Sequence, residues 1–173
     1  MAIDHGLASV EIAAQLGSRD VSCWFADGSH YPGTANIRQR RQWFEEGLKT
    51  LHDQLAHGGR LLVEYKPFEP AFYHTDIGDW GMALLLARAA GPSAKVLVDT
   101  GHHYAAQNIE QIVAWLLDED MLGDDLEAWL AESNLMKRTF RNAAIIAGLI
   151  ERRWPGKEKT GRQVTVNSDL IYD

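Results

Sequence analysis

Three short apolar runs punctuate the first two thirds of the chain: VSCWFADG at 21–28, RLLVEYKP at 60–67 and KVLVDTG at 95–101. Each carries β-branched or aromatic residues and ends at Gly or Pro. None alternates strictly with polar positions, so the pattern predicts strands buried on both faces, as in a parallel sheet. Between them the period changes. Ile37, Phe44, Leu48, Leu51 and Leu55 recur at helical spacings and predict a helix over 37–57. Ile77, Trp80, Met82, Leu84, Leu85 and Leu86 give a broad apolar face over 76–90. Asn108 stands as a cap before IEQIVAWLLDE, with Glu110 in its first turn. With a helical pattern ahead of the first strand, the order is a helix, then three strand–helix units. That order predicts α/β architecture with right-handed crossovers.

The rhythm then breaks. Strand starts at 21, 60 and 95 predict another near 130, but LEAWLAESNLMKRTFRNAAIIAGLIERR at 126–153 reads as helix, interrupted near Ser133–Asn134. RQVTVNS at 162–168 is the one later strand candidate. Gly123–Asp124–Asp125 is the predicted boundary, dividing the chain into domains at 1–123 and 124–173.

Charge respects the same division. Net charge is -7, which argues against general affinity for nucleic acid. Residues 1–123 hold nine Lys/Arg against sixteen Asp/Glu, whereas 124–173 hold eight of each. All seven His lie in the first 103 residues. The single Cys23 offers no internal disulfide and reads as a packed thiol, which fits a reducing cytoplasm. The N-terminus lacks the features of a signal peptide. The longest apolar stretch, near MALLLARAAG, is interrupted by Arg88 and too short to span a membrane, so no membrane partner is expected.

In parallel sheets the chemistry sits beyond the C-terminal ends of the strands. There the first strand brings Trp24 and Asp27, the second Glu64, Lys66 and Glu69, and the third Asp99, His102 and His103. Carboxylates and a neutral imidazole are ligands for Mn²⁺, Mg²⁺ or Zn²⁺, and a bridging carboxylate would serve a two-metal site. Plainer readings stand beside this one. A strand-end Asp also caps loops, and a strand-end His also satisfies a core. Lys66 is a solvated charge or a cation for a substrate oxygen. Trp24 is core or an apolar wall for a small substrate. His30 and Tyr31 read as surface residues of an ordered loop.

The tracts WFADGSHYPGTANIRQRRQWFEEGL, LLVEYKPFEPAFYHTDIGDWGMALLLARAAG and VLVDTGHHYAAQNIEQIVAWLLDEDMLG resemble consecutive pieces of bacterial L-rhamnose isomerase, from about Ile12 to Gly123. That family is a (β/α)₈ barrel with two divalent metals, usually Mn²⁺, that interconverts aldoses and ketoses. The resemblance implies that Glu64 bridges the metals, Asp99 binds the structural metal and His102 the catalytic one. It implies further that Lys66 reaches the substrate as the catalytic residue and that Trp24 lines the sugar. The family's further ligands, a His and three Asp on later strands, are absent from this chain. A complete barrel takes roughly 250 residues. The expectation is therefore a partial TIM barrel of about three parallel βα units, followed by a mainly helical segment. Its metal would be weakly held, its activity negligible, and its uncovered faces prone to self-association.

DLEAWLAESNLMKRTFRNAAIIAGLIERRWPGKEKTGRQVTVNSDLIYD at 125–173 is similar to an internal piece of Lhr-type superfamily 2 helicases, including the ligase-associated DEXH group. PGKEKTG has the wrong order for a phosphate-binding P-loop, so no ATPase activity is implied. Residues 134–162 carry Lys137, Arg138, Arg141, Arg152, Arg153, Lys157, Lys159 and Arg162 against two Glu, interleaved with Phe140 and Trp154. This is either a solvated basic face or a set of nucleic-acid phosphate contacts. Three functional expectations result: an isomerase fragment with an incomplete metal site, a nucleic-acid-binding module, and a chimeric scaffold without activity.

Overall fold

The computed structural model describes residues 2–25, 35–67, 75–104 and 106–123. Its elements alternate as the apolar pattern requires: α1 (Ala2–Leu16), β1 (Asp20–Cys23), α2 (Ile37–His52), β2 (Arg60–Glu64), α3 (Trp80–Ala90), β3 (Ala94–Leu97) and α4 (Ile109–Asp118). The strands form one open sheet in the order β1–β2–β3, all parallel. Asp20 pairs with Arg60 and Cys23 with Val63; Leu61 pairs with Ala94 and Glu64 with Leu97.

The central strand explains the continuous apolar run of its sequence. Leu61, Leu62 and Val63 are all buried. The expectation of burial on both faces holds for β2 and needs correction for its neighbours. β1 has no fully buried position, and β3 alternates between buried and half-buried ones. All three strands also end earlier than the apolar runs, so Trp24, Lys66 and Asp99 lie just past strand ends.

Capping chemistry sets the helix starts. Asn36, Asp79 and Asn108 each accept a hydrogen bond from the backbone N–H three residues on, at 3.1, 2.8 and 3.0 Å. The Asp79 cap moves the start of α3 from the expected 76 to Trp80. Ile77 instead lies in the loop before α3, and its carbonyl accepts from the Lys66 backbone N–H at 3.1 Å. On α3, Ala83, Ala87 and Ala90 are fully buried, and α3 packs on β2, β3 and α2. Small side chains at helical spacing let the helix backbone approach the sheet closely. Val10, Leu48, Leu51, Val96, Val98, Ile112, Val113 and Leu116 complete one continuous core.

Sheet pairing resumes earlier than the expected position near 130. Directly after α4, Leu122 forms an isolated parallel bridge with Val96. The Val96 N–H donates to Met121 O at 2.8 Å, and the Gly123 N–H donates to Val96 O at 2.7 Å. A Cβ at Gly123 would stand 2.7 Å from Leu62 Cδ2 and 3.0 Å from Val96 O, so this approach requires glycine. A bridge of one residue is too short to show a strand period in the sequence.

At the N-terminal ends of the strands, Arg60 grips its cross-strand partner Asp20 bidentately, at 2.6 and 2.7 Å. The Arg60 hydrogen bonds hold the Asp20 carboxyl below the usual carboxylate range, against a smaller opposing effect of burial. This stabilisation is present above the carboxyl's unfolded value and is lost as pH falls through its depressed folded value. The Asp20 side chain is 36% exposed, and solvent screening limits the pair to about 0.5–1 kcal/mol. Asp20→Asn is expected to lower stability by that amount at neutral pH and to have no effect below the titration, as read by urea denaturation across an acid series.

Candidate metal centre

Three chain segments converge at the C-terminal end of the sheet. Glu64 is the last residue of β2, and Asp99 lies two residues past β3. Beyond Asp99 the chain turns back on itself. The Gly101 N–H donates to Asp99 Oδ1 at 2.7 Å, and the His102 N–H donates to Asp99 O at 3.0 Å. A Cβ at Gly101 would meet Asp99 Oδ1 at 3.2 Å, so glycine lets the turn close this tightly. The turn carries the His102 ring between the two carboxylates. Nδ1 stands 3.0 Å from Glu64 Oε1, and Nε2 stands 3.5 Å from Asp99 Oδ2.

Glu64, Asp99 and His102 each offer one ligand atom, all within 4.8 Å of one another. Among the described residues this is the one such cluster. Nδ1 of His102 is buried and makes no hydrogen bond, although Glu64 Oε1 is near. Close but unaligned donor atoms suit ligands that converge on a third atom. Two carboxylates and an imidazole fit a divalent cation such as Mn²⁺ or Zn²⁺.

Lys66 and Trp24 border the cluster. The Lys66 backbone is anchored on both sides, through its N–H to Ile77 O and through its carbonyl, which accepts from the Thr75 hydroxyl. Its ammonium lies 5.3 Å from the centroid of the Trp24 ring, a cation–π contact. Trp24 in turn lies 6.5 Å from the His102 ring. At 44% exposure Trp24 is not a core residue. Glu64, Lys66, Asp99, His102 and Trp24, the five residues to which the resemblance gives roles, thus lie at one end of the sheet. Asp27, His30, Tyr31, Glu69 and the whole of 124–173, with its predicted strand, helices and eight basic residues, lie outside the described residues.

Burial pushes the Glu64 carboxyl above its ordinary range. The neighbouring His102 opposes the shift, Asp99 adds to it, and Lys66 also opposes it. His103 lies against Tyr65, whose hydroxyl is 2.6 Å from His103 Nε2. Burial lowers the pKa of this imidazole, so it favours the neutral form. Tyr65 is not among the residues the sequence singles out. Its position between Glu64 and Lys66 is the available signal, because neighbours in an extended chain face opposite sides. Cys23 is half-buried, and burial raises its thiol to about 11. No helix among the described residues is long and apolar enough to cross a membrane.

Two curated proteins align with 122 residues, 70% of this chain. One, of Rhizobium meliloti (strain 1021), is described as a "Probable sugar isomerase" and is 43% identical. The other, of Mesorhizobium japonicum, bears the same description and is 38% identical. The chain spans 28% of the length of each of these relatives. A crystal structure of a protein from Sinorhizobium meliloti 1021 matches with a TM-score of 0.57 and 24% identity, covering 70% of this chain and 44% of that one. At that identity the likeness concerns fold alone. The family described as "DEAD/H associated" matches residues 62–173. An alignment of 122 residues and one of 62–173 cannot both fit in 173 residues without sharing positions, so the two likenesses overlap. The chain thus carries a sugar-isomerase-like region, and, with well over half of its residues matched, it belongs to the DEAD/H associated family.

Proposed function

We propose that the sheet end carries a divalent-metal site of aldose–ketose isomerase type, of L-rhamnose isomerase lineage, with an incomplete ligand set. The observation that carries this reading is the convergence of Glu64, Asp99 and His102 within 4.8 Å, bordered by Lys66 and Trp24. Glu64, Asp99 and His102 would hold Mn²⁺, which when bound supplies Lewis-acid polarisation of a sugar carbonyl. Lys66 would present its ammonium to a sugar oxygen. Trp24 would offer an apolar wall to the carbon skeleton and hold the ammonium in place by the cation–π contact. Three protein ligands are few for a cation that takes six, so affinity is weak and catalysis negligible.

A second reading concerns residues 134–162, where eight Lys/Arg and two Glu lie within the DEAD/H associated match. These basic residues would contact a phosphate backbone. In this reading 124–173 acts as a nucleic-acid-binding unit beside a metal-binding 1–123. The exposed Ile12, Leu16, Ile37 and Trp43 support self-association of the chain.

Calorimetric titration of the full chain with Mn²⁺ tests the first reading. Weak, saturable uptake is expected, and Glu64→Gln should abolish it. At Mn²⁺ about 100 times the dissociation constant, the wild-type chain should gain about 2.7 kcal/mol of stability, and the variant none. Without metal the order differs. Because the folded Glu64 carboxyl titrates above its unfolded value, its contribution is present at low pH and lost as pH rises through the raised value. Glu64→Gln removes that loss and should melt no lower than wild type at neutral pH. An isomerisation assay on L-rhamnose with Mn²⁺ should give no turnover; turnover abolished by Glu64→Gln would refute the claim of an incomplete site.

The second reading predicts binding to short single- or double-stranded DNA with a steep salt dependence. Each phosphate neutralised should add about −0.7 to −0.9 to the slope of log K against log salt. Binding that is absent or insensitive to salt removes it.

A further inference from the structure

The Glu64–His102 approach has a counterpart immediately behind it. Tyr65 comes directly after Glu64, and His103 directly after His102. These second residues also meet, with the Tyr65 hydroxyl 2.6 Å from His103 Nε2 and the rings edge to face at 5.3 Å and 89°. The chain after β2 and the chain after β3 are therefore joined by two successive side-chain rungs. Glu64 and His102 meet 3.0 Å apart on the face that also carries Lys66 and Trp24. Tyr65 and His103 meet on the inner side, where Tyr65 is 1% exposed.

The two rungs differ in what they can bear. The outer one joins groups whose lone pairs are needed for a cation. The inner one joins a phenol and an imidazole with no role toward a cation, in a place where loss of either partner strands a polar atom away from water. Local hydrogen bonds of the 99–102 turn shape that turn but do not set its distance from β2. The β2–β3 pairing itself ends at Glu64 and Leu97, two residues before Asp99 and five before His102.

We propose that Tyr65 and His103 are positioning residues, whose partly buried hydrogen bond sets the separation of Glu64 from Asp99 and His102 and so pre-forms the metal site. The assignment rests on the metal reading above and adds to it a specific source of ligand geometry. Partners behind metal ligands typically govern affinity by about 10–100-fold.

The test is Mn²⁺ titration of the full chain in wild type, Tyr65→Phe, His103→Leu, His103→Gln and Asp20→Asn. NMR of the His102 imidazole in the metal-free proteins supplies a readout that needs no metal. Tyr65→Phe and His103→Leu should each weaken Mn²⁺ binding by about 10-fold and shift the His102 ring signals. His103→Gln retains an acceptor for the Tyr65 hydroxyl and should recover part of the loss. Asp20→Asn, which breaks a cross-strand pair at the far end of the sheet, should change neither readout. If Tyr65→Phe binds Mn²⁺ as wild type does, or if Asp20→Asn weakens binding as much, the positioning role is wrong while the metal site stands. A wild-type chain that takes up no Mn²⁺ overturns the metal reading and this assignment with it.

Discussion

The parallel register between β2 and β3 sets Glu64 opposite Leu97, and the candidate site is built outward from that pairing. Asp99 then falls two residues past the pair, where the chain is free to turn and bring His102 back. Side chains in a strand alternate between faces, so a slip of one residue would send Glu64 to the other side of the sheet from its partners. The register is held by what lies on either side of it. Leu61 and Val63 are fully buried, as are Ala94 and Val96 opposite them, and α3 presses its alanines onto this pair of strands. The polar site thus starts from a register that an apolar core holds.

Electrostatics work in the opposite sense. Burial raises the Glu64 carboxyl above its ordinary range and the nearby Asp99 carboxylate adds to the shift, with His102 and Lys66 as partial compensation. A core assembled for stability alone would not gather these groups. A divalent ion placed among such groups would reverse the sign of the local field and turn repulsion between carboxylates into joint attraction.

Much of this is legible in the residues. The three apolar runs mark the strands, Asn108 marks its helix start, and the face shared by Glu64, Lys66, Asp99 and His102 emerges from counting past the strand ends. Other features are not legible. α3 begins at Trp80 because Asp79 competes for the helix start, while Ile77, though in phase with the helix, serves the Lys66 backbone. The bridge at Leu122 occupies too few residues to show a period. The Tyr65–His103 contact needs the folded register before its two halves can be matched. Trp24 reads as core or as a wall, and its exposure removes the first of these readings.

The bridge between Val96 and Leu122 also constrains the chain beyond it. By the time the backbone reaches Gly123 its direction is fixed parallel to β3, and so is its phase, meaning which of two successive residues points to which face. An insertion or deletion of one residue between α4 and Gly123 would therefore put a different residue opposite Val96 and turn Leu122 from the face it now meets. The bridge acts as a reading frame in space, so that the fit of Leu122 and Gly123 against β3 depends on counting as much as on chemistry.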